Sequence, residues 1–208
     1  MNTKLKNKLA KHYDKYFGDK PLILSSATNN DVEVFILLYA PNKIYPFWKI
    51  ATIGCSDVTQ SFKRKRLHNE YVMFVNQNQN LKDDTALRNW YYDMLLVPDA
   101  FARDTGKPVF YGADIVFENE TCEEMIGVCF LLPQIIPFTK FCFFNLNFFK
   151  KISVFQVMPI TNIEKEIILN EGISVCEKIF YPNNTMECRP FAEQKRTFDK
   201  FKIEDNKK

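Results

Sequence analysis

Leu5, Leu9, Tyr13, Tyr16 and Phe17 recur at helical spacing near the start of the chain, with Lys4, Lys8, Lys11 and Lys15 between them. Apolar residues three and four apart share one face of a helix, so the pattern predicts an amphipathic helix whose lysines form its wet side and whose C-terminal cap is Gly18. At Val32–Tyr39 the pattern becomes a β-branched and aromatic run closed by Pro41, which predicts a central strand. Trp48–Ile53 and Glu70–Val75 predict the next two strands. The first is apolar on both faces and stops at Gly54, ahead of Cys55, Ser56 and Asp57. Asp83-Asp84-Thr85 can cap a helix carrying the stripe Leu87, Trp90, Tyr91, Met94 and Leu95. Pro98 is expected to interrupt it, leaving Asp99 to Asp104 as a further turn that ends at Gly106. Further strands are expected near Val109–Tyr111, Asp114–Phe117, Gly127–Leu132 and Ile152–Met158. Phe138 to Phe149 is read as the core side of a long hairpin, because the alternation through Phe143, Asn145 and Asn147 suits a half-buried strand. Thr161-Asn162-Ile163-Glu164 is a capping box that opens a last helix, ending at Gly172.

These elements predict an α/β (α+β) fold: a single domain over residues 1–194 with a mixed, mostly antiparallel sheet packed against helices, then a polar tail over 195–208. There is no internal repeat, low-complexity linker or composition break. The length of 208 residues suits one domain with a substantial core.

Composition changes the picture mainly by exclusion. A net charge of +3, from 28 basic and 25 acidic residues, argues against both a nucleic-acid partner and an acidic DNA mimic. Of the six cysteines, Cys55, Cys122, Cys129, Cys142, Cys176 and Cys188, none forms a CxxC pair, and only His12 and His68 could join them around zinc. Apolar neighbours, as in Val128-Cys129-Phe130, predict buried reduced thiols in a cytoplasmic protein. The charged N-terminus leads into no signal peptide, and the apolar region from Gly127 to Phe149 is too interrupted to span a membrane. No glycine-rich phosphate loop, metal motif or cofactor motif occurs. Glu118, Glu120, Glu123 and Glu124 read as a solvated turn, since their spacing matches no calcium loop. Gly54-Cys55-Ser56-Asp57 lacks the second glycine of a hydrolase nucleophile elbow. Cys55 or Ser56 would need a base nearby, and the chain has two histidines to offer. Lys63-Arg64-Lys65-Arg66 is the one dense basic run and is read as an exposed hairpin loop.

Four segments, in order, resemble the suppressor-of-fused-like domain family. Trp48 through Thr52-Ile53-Gly54-Cys55-Ser56-Asp57 is similar to that family's strand and "T-x-G-x-S-D" turn. Glu70-Tyr71-Val72-Met73-Phe74 resembles the following "E-L-x-x-x-L" strand, with Tyr71 in place of leucine. Gly112-Ala113-Asp114-Ile115 sits where members carry a glycine and a polar residue after the helix. Phe155 to Thr161, with Pro159, Glu164 and Glu166, resembles the late "L-x-x-x-P-L-x-x-x-E" element. The Lys63–Arg66 run and the aromatic Phe138–Phe149 segment depart from the family pattern.

The resemblance implies an α/β fold and a non-enzymatic, protein-binding role, without cofactor, metal or catalytic residue. Longer animal members add a second lobe and sequester a transcription factor. Short bacterial members resemble immunity proteins that neutralise a toxin by stoichiometric binding, and this chain is expected to act in that way. Gly54, Ser56, Asp57, Lys63, Arg64, Lys65 and Arg66 are the expected partner-binding residues; Trp48, Thr52, Gly112, Pro159 and Glu164 are the expected structural ones. Two other classes stay open: a small enzyme using Cys55 or Ser56, and a nucleic-acid-binding module using Lys63–Arg66.

Overall fold

In the computed structural model of the chain, residues 3–29, 32–62, 65–117, 125–136, 138–148, 150–172, 180 and 191–194 are described. The N-terminal pattern forms α1 (Thr3–Phe17), which buries Leu9, Tyr13 and Phe17 along one face. Next come β1 (Ile23–Asn29), β2 (Val32–Tyr39), β3 (Phe47–Ile53), the short β4 (Gln60–Phe62) and β5 (Lys65–Leu67), and β6 (Asn69–Asn76). After α2 (Thr85–Thr105) the chain runs through β7 (Asp114–Val116), β8 (Gly127–Leu131), α3 (Phe138–Cys142), β9 (Phe143–Asn145), β10 (Lys151–Ile160) and α4 (Asn162–Glu171). Among the described residues, none of these helices is long and apolar enough to cross a membrane.

One mixed sheet takes the order β1-β2-β3-β6-β10-β8-β7, with β9 paired to the start of β10. Among the described residues every pairing is antiparallel except β6 with β10, which run parallel from Asn69↔Ser153 to Val72↔Gln156. The β4–β5 hairpin stands apart from this sheet. The architecture is the single-domain α+β fold that the pattern predicts.

Strand alternation sorts the core onto two faces. Ile36, Leu38, Trp48, Ile50, Tyr71 and Met73 pack against Tyr91 and Leu95 of α2. Leu37, Tyr39, Ala51, Ile53, Val72 and Phe74 pack against α1 and Phe141 of α3. With helices on both sides, β3 is buried at all seven positions, which is why its sequence shows no polar alternation.

Four expectations are corrected. Pro98 does not interrupt α2, which runs unbroken from its Asp84 cap to Gly106 in the left-handed conformation. Proline removes one N–H and crowds one carbonyl, but burial of Tyr91, Tyr92, Leu95, Pro98 and Ala102 on the sheet outweighs that local cost. Val109–Tyr111 is not a strand: the Val109 N–H donates to the Gln60 side chain at 2.6 Å. Phe138–Phe149 does not form a long hairpin. It makes the single helical turn α3 and the three-residue β9, with Phe141 buried and Phe148 95% exposed. The pattern predicts no strand at β1, and Lys65 and Arg66, read with Lys63 and Arg64 as a hairpin loop, lie on strand β5. β1 mixes serine, threonine and asparagine among few apolar residues, and its pairing with β2 along all seven residues holds it extended.

Candidate functional site

Gly54 ends β3 with a φ of 122°, a conformation that side chains rarely adopt. A Cβ there would lie 3.0 Å from the Glu33 carbonyl oxygen and 3.4 Å from the Val34 Cα, so β2 also leaves it no room. Cys55–Asp57 follow as one 3-10 turn, whose first backbone N–H groups have no partner within the turn. The neighbouring strand supplies the acceptor. Glu70 at the start of β6 is fully buried, and its Oε1 accepts from the N–H groups of Gly54 at 3.0 Å and Ser56 at 3.1 Å. Its Oε2 accepts from the Thr52 hydroxyl at 2.8 Å, and Thr52 Oγ1 in turn accepts from the Tyr71 N–H at 2.9 Å. The Thr52–Asp57 turn and the Glu70 strand are thus two halves of one buried hydrogen-bond cluster. Burial pushes the Glu70 carboxyl up to about 7, against the opposing pull of these donors.

The turn is also held from its flanks. His68 Nδ1 lies 3.1 Å from the Ser56 carbonyl oxygen, a contact that places the ring proton on Nδ1. Burial lowers the pKa of that imidazole, which favours its neutral form. Lys150 Nζ lies 2.9 Å from Asp57 Oδ1 in a partly buried ion pair. Lys150 belongs to the β9–β10 connection, and the Ser153 N–H of β10 donates to the His68 carbonyl at 2.9 Å. The β3 turn, the approach to β6 and the β9–β10 connection therefore meet at one end of the sheet.

A second buried network adjoins the first through Asn69 and Tyr71. Gln60 Oε1 accepts from the N–H of Val109 and from Asn69 Nδ2, while Asn69 Nδ2 also reaches the Val109 carbonyl. Val109 is held in place by this pairing with a side chain, so its N–H and carbonyl do not join a strand ladder.

No protein-family model matches the sequence, and no curated protein sequence matches it. Solved structures do match. A protein described as a SUFU (suppressor of fused) homologue from Neisseria gonorrhoeae FA 1090 superposes with a TM-score of 0.59 at 12% identity, covering 94% of this chain and 97% of that one. A chain of the Sufu–Fu complex superposes with a TM-score of 0.61 at 11% identity, covering 97% and 93%. The chain has the suppressor-of-fused fold. Drosophila Suppressor of Fused matches with a TM-score of 0.56 at 12% identity, and the present chain spans 51% of its length.

Within the suppressor-of-fused fold of this chain, the expected site residues fall into distinct environments. Gly54, Cys55 and Ser56 lie below the surface as the base of the turn, and Asp57 is half-buried against Lys150. Lys63 and Arg64 lie outside the described residues. Lys65 and Arg66 are on β5, where Arg66 is exposed. Trp48 is 7% exposed, with its indole N–H donating to the Gln79 carbonyl at 2.8 Å. Thr52 sits inside the Glu70 cluster. Gly112 adopts a φ of 75° and its N–H donates to the Phe130 carbonyl. Pro159 is buried in β10 opposite Val128, beyond the stretch that pairs with β6. Glu164 closes the capping box, accepting from the Thr161 N–H at 2.9 Å.

The geometry is poor for nucleophilic chemistry at the turn. Burial, then the nearby carboxyls of Glu70 and Asp99, push the Cys55 thiol well up, away from thiolate. The Ser56 hydroxyl oxygen is buried, and His68 faces the Ser56 carbonyl instead. Among the described residues no cluster of three His, Cys, Asp or Glu side chains is arranged to hold a metal ion. Glu118, Glu120, Glu123 and Glu124 lie outside those residues. Sequence reasoning missed the part played by Glu70, Lys150, Gln60 and Asn69. The signals for Glu70 were a carboxylate opening an otherwise apolar strand and its place at the head of the family-like "E-L-x-x-x-L" segment.

Proposed function

We propose that this protein works by stoichiometric, non-enzymatic binding of a protein partner, and that the partner is a toxin which it neutralises as an immunity protein. The observation that carries the reading is the fold, shared over nearly the whole chain with a member of the Sufu–Fu complex. The bacterial SUFU homologue from Neisseria gonorrhoeae, matched over 94% of this chain, supports the comparison with bacterial immunity proteins. The partner-binding surface lies around the turn of Gly54, Ser56 and Asp57 and includes Lys63, Arg64, Lys65 and Arg66. Glu70 secures the turn from within, so the loops around it can vary while the sheet stays intact. Charge on the hairpin sets specificity and association rate. The protein acts in the cytoplasm, where buried free thiols such as Cys55 and Cys142 stay reduced.

The test is co-expression with a toxin-like neighbouring gene, followed by calorimetry on the purified pair. Protection that tracks an equimolar complex supports sequestration. Protection at far below equimolar amounts, or no complex at about micromolar concentration, overturns it and restores the enzyme reading.

A further inference from the structure

Lys4, Lys8, Lys11 and Lys15 of α1 are all exposed. At 100° per residue their spacing places them within an arc of about 60°. A solvated helix face commonly mixes both signs of charge, but the only acid in α1 is Asp14. Asp14 is engaged elsewhere, by Lys20 Nζ at 2.6 Å and the Tyr39 hydroxyl at 3.0 Å. Among the described residues none of the four stripe lysines belongs to an ion pair, whereas Lys6, off the stripe, pairs with Glu33.

The stripe borders a groove of about 830 Å³ between α1 and the β9–β10 connection, lined by Lys4, Leu5, Lys8 and Lys11 on one side and Leu146 and Asn147 on the other. Its two walls are locked together. Lys8 Nζ donates to the Asn145 and Leu146 carbonyls. The His12 ring stacks on Phe144 with centroids 3.7 Å apart, and its Nε2 lies 3.0 Å from the Phe141 carbonyl oxygen. The groove is therefore formed in advance of any ligand, which lowers the entropy lost on binding. Phe148, 95% exposed, follows Asn147 directly. The groove is also continuous with the Gly54 turn: the Lys150 N–H donates to Asn147 Oδ1 at 2.8 Å while its Nζ pairs with Asp57.

We propose that this groove is the docking site for an acidic peptide segment of the protein partner, an inference that rests on the protein-binding reading above. Carboxylates of the segment meet the lysine stripe, its apolar side chains meet Leu5 and Phe148, and its main chain meets the side-chain amides of Asn7 and Asn147 at the groove. Leucine on the groove walls and a net charge of only +3 favour a peptide over nucleic acid.

The experiment titrates the isotope-labelled full chain with a short peptide of glutamates interspersed with leucines and serines, with the glutamine version of that peptide, and with a thymidine oligonucleotide. The expected result is saturable amide shifts for the glutamate peptide at Leu5, Lys11, Leu146 and Asn147, lost in high salt and absent with glutamine. Lys4→Glu combined with Lys11→Glu, which leaves the Lys8 contacts in place, is expected to weaken binding by about tenfold or more with an unchanged melting temperature. Should that pair disturb folding, Lys4→Gln with Lys11→Gln is expected to give a smaller loss in the same direction. Shifts centred on Arg66, equal binding of the glutamine peptide, an unaffected variant, or tighter binding of the oligonucleotide would each overturn the proposal. Peptide binding at the groove without a complex with the toxin-like product overturns the immunity reading alone. A complex that forms at full affinity with the charge-reversed chain overturns the groove alone.

Discussion

Glu70 receives hydrogen bonds from two backbone N–H groups and a threonine hydroxyl, all buried, so its removal would leave several donors without an acceptor. Glutamine can hold the same positions, keeping Oε1 on the two N–H groups and donating to Thr52 Oγ1. Glu70→Gln is therefore expected to fold while losing the titration. In the folded chain the carboxyl releases its proton near 7, against 4.5 ordinarily. Between those values the native state binds the extra proton, so the stability this group contributes falls as pH rises from about 4.5 to about 7. Urea unfolding of both proteins, followed by tryptophan fluorescence, should show the wild type losing ground to Glu70→Gln across that window and no further above it. A constant difference would mean that Glu70 does not titrate there. Trp48 makes the complementary case for packing. Its ring fills the α2-facing core and its N–H is satisfied by Gln79. Trp48→Ala is expected to cost about 3–5 kcal/mol, read as a lower melting temperature; an unchanged melt would contradict the burial.

At the scale of elements, the β4–β5 hairpin is anchored by its first strand rather than by its basic residues. Among the described residues its strands pair with each other over three residues each, and it is tied to the rest through Gln60, which bonds Asn69, Tyr71 and Val109, and through the Phe62 ring against Phe110. Substituting Lys63, Arg64, Lys65 and Arg66 together by glutamate should leave the domain folded, with a stability within about 2 kcal/mol of wild type. The same change should slow association with an acidic partner while leaving dissociation nearly constant, which stopped-flow mixing would resolve. Loss of folding would show instead that the hairpin is integral to the domain. Helix α2 teaches the converse. Pro98 reads locally as a break, yet a long helix with a buried face on the sheet accommodates it, because packing supplies more than one lost hydrogen bond and a crowded carbonyl remove.

For the whole molecule, a sheet covered by helices on both sides leaves its small apolar side chains shielded. Cys55 and Cys142 are buried free thiols; burial pushes Cys142 up to about 12 and Cys55 well above the ordinary range. Neither should react with an alkylating reagent in the native protein near neutral pH. Denaturation without reductant should release all six cysteines of the chain to titration. Fewer than six, in protein protected from oxidation during handling, would reveal a disulfide or a bound metal.

What the sequence by itself determined was local. The period of α1, the Asp84 and Thr161 caps, the glycine stop after Ile53 and the two-sided apolar character of β3 are properties of neighbouring residues, and these were legible without coordinates. Tertiary structure alone decided which distant segments share hydrogen bonds. Glu70 looks like the solvated first residue of a strand until antiparallel pairing of β3 with β6 brings it beneath the Gly54 turn. β1 carries too many small polar residues to announce itself and is extended because β2 offers a matching edge. The alternation through Phe143, Asn145 and Asn147 reads as one long strand, yet the run divides into α3, a three-residue β9 paired with β10 and an exposed Phe148. A backbone donor or acceptor can be satisfied by any correctly placed group, and that placement depends on the register of strands far apart in the chain.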